Sequence, residues 1–125
     1  MKKLYLCKKC GNVVGKIVDG GGKLACCGQD MVELVAQTAD STTEKHVPVV
    51  EVNGNEVLVT VGSTLHPMTE AHLINAIILE TTNGFQRKDL TANDEPKAKF
   101  ALLDGEKVVA AYEYCNLHGL WVKEL

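Results

Sequence analysis

Along most of the chain the apolar positions come in short bursts with a period of two, separated by glycine-bearing turns. Residues 49–61 form two alternating runs around Asn53-Gly54, the strongest short-range signal of a β-hairpin. Residues 81–85 repeat the signal around Asn83-Gly84, and residues 100–109 carry a third such turn at Asp104-Gly105. Residues 72–79 fit strand or helix by pattern alone. Their Ile77-Ile78-Leu79 run, just ahead of an Asn-Gly turn, predicts a strand. Residues 87–99 are polar and contain Pro96, which predicts a surface loop. About seven short strands with regularly spaced turns predict an immunoglobulin-like β-sandwich.

The first part of the chain reads differently. Val13, Val14, Ile17 and Val18 predict one short strand, and Gly20-Gly21-Gly22 a turn. A segment this short has too few apolar residues to fold on a core of its own. Gln37 to Thr43 is polar and reads as a linker. The chain is therefore expected to be mainly β. A very small domain over residues 1–36 precedes the sandwich over residues 37–125.

Composition narrows the function classes. The formal net charge of -3 argues against a nucleic-acid binder, which carries a basic excess. No apolar run approaches the ~20 residues of a membrane span. Met1-Lys2-Lys3-Leu4-Tyr5-Leu6 runs directly into Cys7 with no signal-peptide apolar region, so a cytoplasmic location is expected. In that compartment five cysteines are reduced, which favours metal ligation over disulfides.

The cysteines and histidines fall into two sets. Cys7-Lys8-Lys9-Cys10-Gly11 is a metal-binding knuckle, and the adjacent pair Cys26-Cys27 follows sixteen positions after Cys10. Neighbouring side chains on extended backbone point opposite ways, so Cys26 and Cys27 can share one ion only through a local twist. Four thiolates select zinc or iron. On spacing alone a structural zinc ribbon and an iron site both stand. With so few apolar residues, metal is expected to hold this segment together. The second set is His46, His66, His72, His118 and the remaining cysteine, Cys115. Every one of the histidines sits in or beside a predicted loop, and sandwich loops cluster at the ends of the sheets. A catalytic Cys–His pair is one reading. A single thiolate with several imidazoles is the other, and it suits a redox metal.

Both sets together resemble desulfoferrodoxin, the two-iron class of superoxide reductase. The resemblance spans the chain. It rests on Cys7-x-x-Cys10, Cys26-Cys27, Glu44-Lys45-His46-Val47-Pro48, His66-Pro67-Met68-Thr69-Glu70-x-His72 and Cys115-Asn116-x-His118-Gly119. It implies two irons per chain: a desulforedoxin-like Fe(Cys)4 centre on Cys7, Cys10, Cys26 and Cys27, and a catalytic iron on His46, His66, His72, His118 and Cys115. It implies reduction of superoxide to hydrogen peroxide, a rubredoxin-like electron donor and a homodimer. It gives Glu44 a place as ligand in the ferric resting state, and it places Lys45 at the mouth of the site, where a positive charge steers superoxide in. From the residues alone, Glu44 and Lys45 read as an ordinary solvated charge pair. The chain departs from the family after the third histidine. An aromatic residue is frequent there, and this chain reads Leu73-Ile74-Asn75-Ala76. An electron-transfer iron protein without superoxide turnover is the alternative function.

Overall fold

A computed structural model describes residues 3–39, 45–63 and 65–125. The chain divides into two compact units, Met1–Val35 and Ala36–Leu125. The described residues are all β, with no helix among them.

In the first unit, β1 (Leu4–Leu6), β2 (Val13–Gly15) and β5 (Val32–Glu33) form an antiparallel sheet in the order β2-β1-β5. β3 (Ala25–Cys26) and β4 (Gln29–Asp30) form a separate two-residue-loop hairpin. The strand expected around residues 13–18 stops at Gly15, and Val18 is 80% exposed. Cys7 is the single buried side chain among the described residues 3–35. Burial of apolar area therefore does little to hold this unit together.

The second unit has two sheets. β6 (Pro48–Asn53), β7 (Glu56–Val61) and β10 (Lys97–Ala101) make one, in the order β10-β7-β6. β8 (Ile74–Thr81), β9 (Gly84–Asp89), β11 (Val108–Cys115) and β12 (Gly119–Glu124) make the other, in the order β12-β11-β8-β9. Alternation decides the facing. Val57, Val59 and Val61 on β7, Ala98 and Phe100 on β10, Ile77 and Leu79 on β8, and Ala111 and Cys115 on β11 share one buried core. Lettered A to G in order, the seven strands form sheets ABE and DCFG. A constant-type immunoglobulin domain pairs its fourth strand into the ABE sheet. Here β9 hydrogen-bonds to β8 instead.

Three local expectations change. The first hairpin turns on Gly54-Asn55, one residue later than Asn53-Gly54, with Gly54 at φ 62. The Asp104-Gly105 turn joins no hairpin: β10 pairs with β7 and β11 with β8, so the chain crosses between sheets there. The loop expected over residues 87–99 is short, because β9 runs to Asp89, β10 starts at Lys97, and Leu90 and Pro96 are buried.

The start of β8 is irregular. The β8–β11 register jumps between Tyr114↔Ala76 and Cys115↔Ile74, leaving Asn75 as a bulge. The bulge lets Ile74 and Cys115, both fully buried, face each other at the sheet's end.

Candidate metal centres

The local backbone of the first unit is built to aim sulfur. The Cys7 carbonyl accepts a hydrogen bond from the Gly11 amide at 2.8 Å, and Gly11 turns with φ 87. The second knuckle is the β3–β4 hairpin itself, in which Cys26 pairs with Gln29 across Cys27-Gly28. Both central residues have positive φ, 54 and 77, as a type I′ turn requires. Cys27 is the only non-glycine with positive φ among the described residues, a conformation that costs roughly 1–2 kcal/mol. This is the twist that two adjacent cysteines need to reach one ion.

The four sulfurs lie within 4.8 Å of one another. Cys10 Sγ is 3.6 Å from Cys26 Sγ, which is 3.8 Å from Cys27 Sγ. A tetrahedron with metal–sulfur bonds of ~2.3 Å has edges of about 3.8 Å. Proton chemistry agrees with a cation site. The Cys10 amide, reinforced by that of Lys9, lowers the Cys7 thiol to about 6. The neighbouring thiols, Cys10 first, raise Cys26 and push Cys27 up to about 12. Four thiolates repel one another here unless a cation neutralises them. The donor set fits iron or zinc.

The second set gathers at one end of the sandwich. His46 lies just before β6, His66 and His72 lie between β7 and β8, and Cys115 and His118 flank the β11–β12 turn. The ring centroids run in a cycle: His46–His66 4.7 Å, His66–His72 4.7 Å, His72–His118 5.0 Å and His118–His46 5.0 Å. His46 Nε2 is 3.2 Å from His118 Nδ1, and Cys115 Sγ is 3.8 Å from His66 Nε2. Adjacent donors of one ion with ~2.1 Å bonds at right angles sit about 3 Å apart, so this spacing fits a shared ion. Donor atoms of His46, His66, Cys115 and His118 all lie within 4.8 Å of one another. His72 lies outside that mutual set and joins through its ring contacts to His66 and His118.

Several of these donors are held from behind. His66 Nδ1 donates to the Pro67 carbonyl at 2.7 Å, which turns Nε2 toward the cluster. Trp121 stacks on His46 with centroids 4.6 Å apart and 10° between planes, and its Nε1 donates to the His118 carbonyl. Gln37 Nε2 donates to the same carbonyl at 2.8 Å. Asn116 clamps the other flank: its Oδ1 accepts from the Leu73 amide and its Nδ2 donates to the Ala71 carbonyl. The clamp ties the Cys115–His118 turn to the segment bearing His72. Leu73 and Ile74, standing where an aromatic residue is frequent, are both buried.

Sequence reasoning missed two of these residues. Gln37 was expected in a linker. Its backbone instead bonds to Leu120 and Val122 of β12. Glu113 drew no attention as a charged residue in a strand. Its side chain is fully buried, with Oε2 3.7 Å from His46 Nδ1. The signal was the period of two, because Ala111, Glu113 and Cys115 share the core face of β11. Lys45 is half-buried beside His46, and Glu44 lies outside the described residues.

Exposure across the second cluster is graded. Cys115, His46 and His66 are buried, His72 is half-buried and His118 is exposed. The thiol lies on the core side, and water reaches the site from the His72–His118 side.

Known proteins share both centres' segments of the chain. Family models match twice: the desulfoferrodoxin N-terminal domain over residues 1–34 and desulfoferrodoxin over residues 38–124. A desulfoferrodoxin homolog of Archaeoglobus fulgidus is 46% identical over 95% of this chain and 94% of its own. The desulfoferrodoxin of Nitratidesulfovibrio vulgaris is 46% identical over 98% of this chain and 95% of its own. The crystal structure of the superoxide reductase from Treponema pallidum matches with a TM-score of 0.86 and 38% identity, covering 99% of this chain and 98% of that one.

Proposed function

The chain belongs to the desulfoferrodoxin family, and from that premise we propose that it is a superoxide reductase whose second cluster holds the catalytic iron. The observation that carries the reading is the convergence of three imidazoles, His46, His66 and His118, on one buried thiol, with the His72 ring packed against two of them. His46, His66, His72 and His118 are its nitrogen ligands and Cys115 its sulfur ligand. Cys7, Cys10, Cys26 and Cys27 hold a second iron. An iron held by the four histidines and Cys115 would supply the one electron that, with two protons from solvent, converts superoxide to hydrogen peroxide.

The chain's own groups do the rest. Cys115, sealed on the core side, supplies electron density from a dry environment. The exposed His118 side is where an anion and solvent protons enter. Lys45, next to His46, adds positive charge for a negative substrate, an attraction that salt screens. Glu44 stands as a ligand of the oxidised resting site on the strength of its motif. A rubredoxin-like carrier restores the electron, and the active form is a homodimer, to be read by sedimentation.

Cys115→Ser tests the reading. Superoxide consumption by the reduced protein should vanish while the visible absorption of the four-cysteine site stays at its native intensity. Consumption retained in that variant would overturn the ligand assignment.

A further inference from the structure

The two units differ sharply in charge. Residues 1–35 hold six lysines against three carboxylates, a side-chain net of +3 in a chain of net -3. Where that surplus sits is decided by pairing. Each carboxylate of the first unit already has a lysine: Glu33 with Lys3 at 3.3 Å, Asp19 with Lys16 at 3.1 Å, and Asp30 with Lys23 at 3.7 Å. Lys8 and Lys9 are exposed and make no ion pair among the described residues. They are the two residues between Cys7 and Cys10. Of the three lysines left over, Lys2 lies outside the described residues, and the other two, Lys8 and Lys9, lie on the metal knuckle itself.

The cluster is also open to contact. Cys10 and Cys27 are exposed. Cys26 lines an open groove of about 450 Å³ whose other walls include Val14, Val18, Leu24 and Met31. An accessible thiolate cluster with an apolar groove on one side and unpaired cations on its own loop has the features of a small, transient electron-transfer interface.

We propose that this face, built from Lys8, Lys9, Cys10 and Cys27, docks a small acidic one-electron carrier protein and receives its electron. The inference rests on the proposed function. The step is one electron from the reduced carrier to the ferric four-cysteine centre, with no bond made and no proton moved. Charge complementarity selects the partner. A ferric centre with four thiolates carries a formal charge of about -1, which alone repels an acidic protein. Lys8 and Lys9 offset that charge and leave a local excess. Nucleic acid fits less well, because it needs a basic stripe and two lysines are a point.

The test uses the full, iron-loaded chain with rubredoxin as the acidic probe. Three forms are compared with the native one: Lys8→Glu/Lys9→Glu, Lys8→Arg/Lys9→Arg, and Lys107→Glu/Lys123→Glu as an equal charge change in the second unit. The readouts are the Kd for oxidised rubredoxin, the rate at which reduced rubredoxin bleaches the four-cysteine absorption, and the salt dependence of both. The Lys8/Lys9 reversal should weaken binding and slow bleaching at least tenfold and abolish or invert the salt dependence. The arginine form should stay within twofold of native, and the remote reversal within threefold. Native-like behaviour of the Lys8/Lys9 reversal would overturn the proposal, and so would an equal loss in the remote reversal. Superoxide consumption by chemically reduced native protein is measured separately. Its absence would remove the proposed function and leave the docking result standing.

Discussion

Glu113 is the residue whose replacement says most about the second site. Its carboxylate is fully buried on the core face of β11, and its cross-strand neighbours are Ile77 and Trp121. Trp121 stacks on His46, and Glu113 Oε2 lies 3.7 Å from His46 Nδ1. One imidazole is thus fixed by an aromatic face and a carboxylate together. At 3.7 Å two full charges at an effective dielectric of ~20 interact by about 4.5 kcal/mol. A metal-bound imidazole carries only part of a charge, so the effect is smaller. Loss of a carboxylate behind a metal-bound histidine typically weakens metal affinity 10–100-fold, or ~1.4–2.7 kcal/mol. Glu113→Ala should fall in that range. Glu113→Gln keeps the shape and an acceptor oxygen but not the charge, and should lose about tenfold. Without iron the sign reverses. A buried carboxylate is then a liability, so the iron-free Gln variant should unfold at or above the native temperature. The assay pairs iron occupancy under chelator competition with thermal unfolding of the iron-free chain. Native-like iron affinity in Glu113→Ala would refute the reasoning. So would a Gln variant that binds iron less well than the Ala variant.

Lys45→Ala should slow the reaction with superoxide several-fold and flatten its salt dependence in stopped-flow measurements; an unchanged rate and slope would remove Lys45 from steering. Stripping metal with a chelator should expose residues 3–35 to proteolysis while the second unit keeps a cooperative unfolding transition, because Cys7 is the only buried side chain described in the first unit. Resistance of that segment without metal would show that it has another source of stability. Tyr112 donates to Glu80 at 3.2 Å, and burial first, then the Glu80 charge, raises its hydroxyl to about 12. The unfolded chain releases this proton near 10, so the contribution of Tyr112 to stability is constant below pH 10 and declines between about 10 and 12. Tyr112→Phe should cost ~1 kcal/mol at neutral pH and reduce that alkaline decline; an identical decline in urea titrations at pH 9 and 11.5 would reject the assignment.

What could be seen in the sequence was what is local or chemically rare. Cys26-Cys27 announced a twist, and the backbone supplies it with positive φ at Cys27 and Gly28. The histidines were placed at loops because strands could be counted from alternation, and the loops of one end do converge. What escaped depends on pairing across the fold. Asp104-Gly105 marks a turn, but turn chemistry does not say which sheet the next strand joins. Gln37 looks like any polar residue until β12 lies beside it. The Asn75 bulge shifts the phase between Ile74 and Ile77, and no residue preference announces it. Glu113 was hidden by the usual rule that charged strand residues face water.

That last exception has an electrostatic reason. A lone carboxylate in an apolar core is costly and is kept only beside compensating charge. Cys115 adds a second acidic group on the same face of the same strand. A divalent cation would stabilise both as anions, and ferrous iron would bring the formal sum to zero. The four imidazoles would add ligands without adding charge and so leave that balance intact. In the first unit the same problem is solved at the surface: four thiolates overshoot the charge of one iron, and exposed Lys8 and Lys9 offset the excess. Burial thus dictates a neutral cluster in the sandwich. Exposure allows a charged one in the small unit, where a second protein can read it.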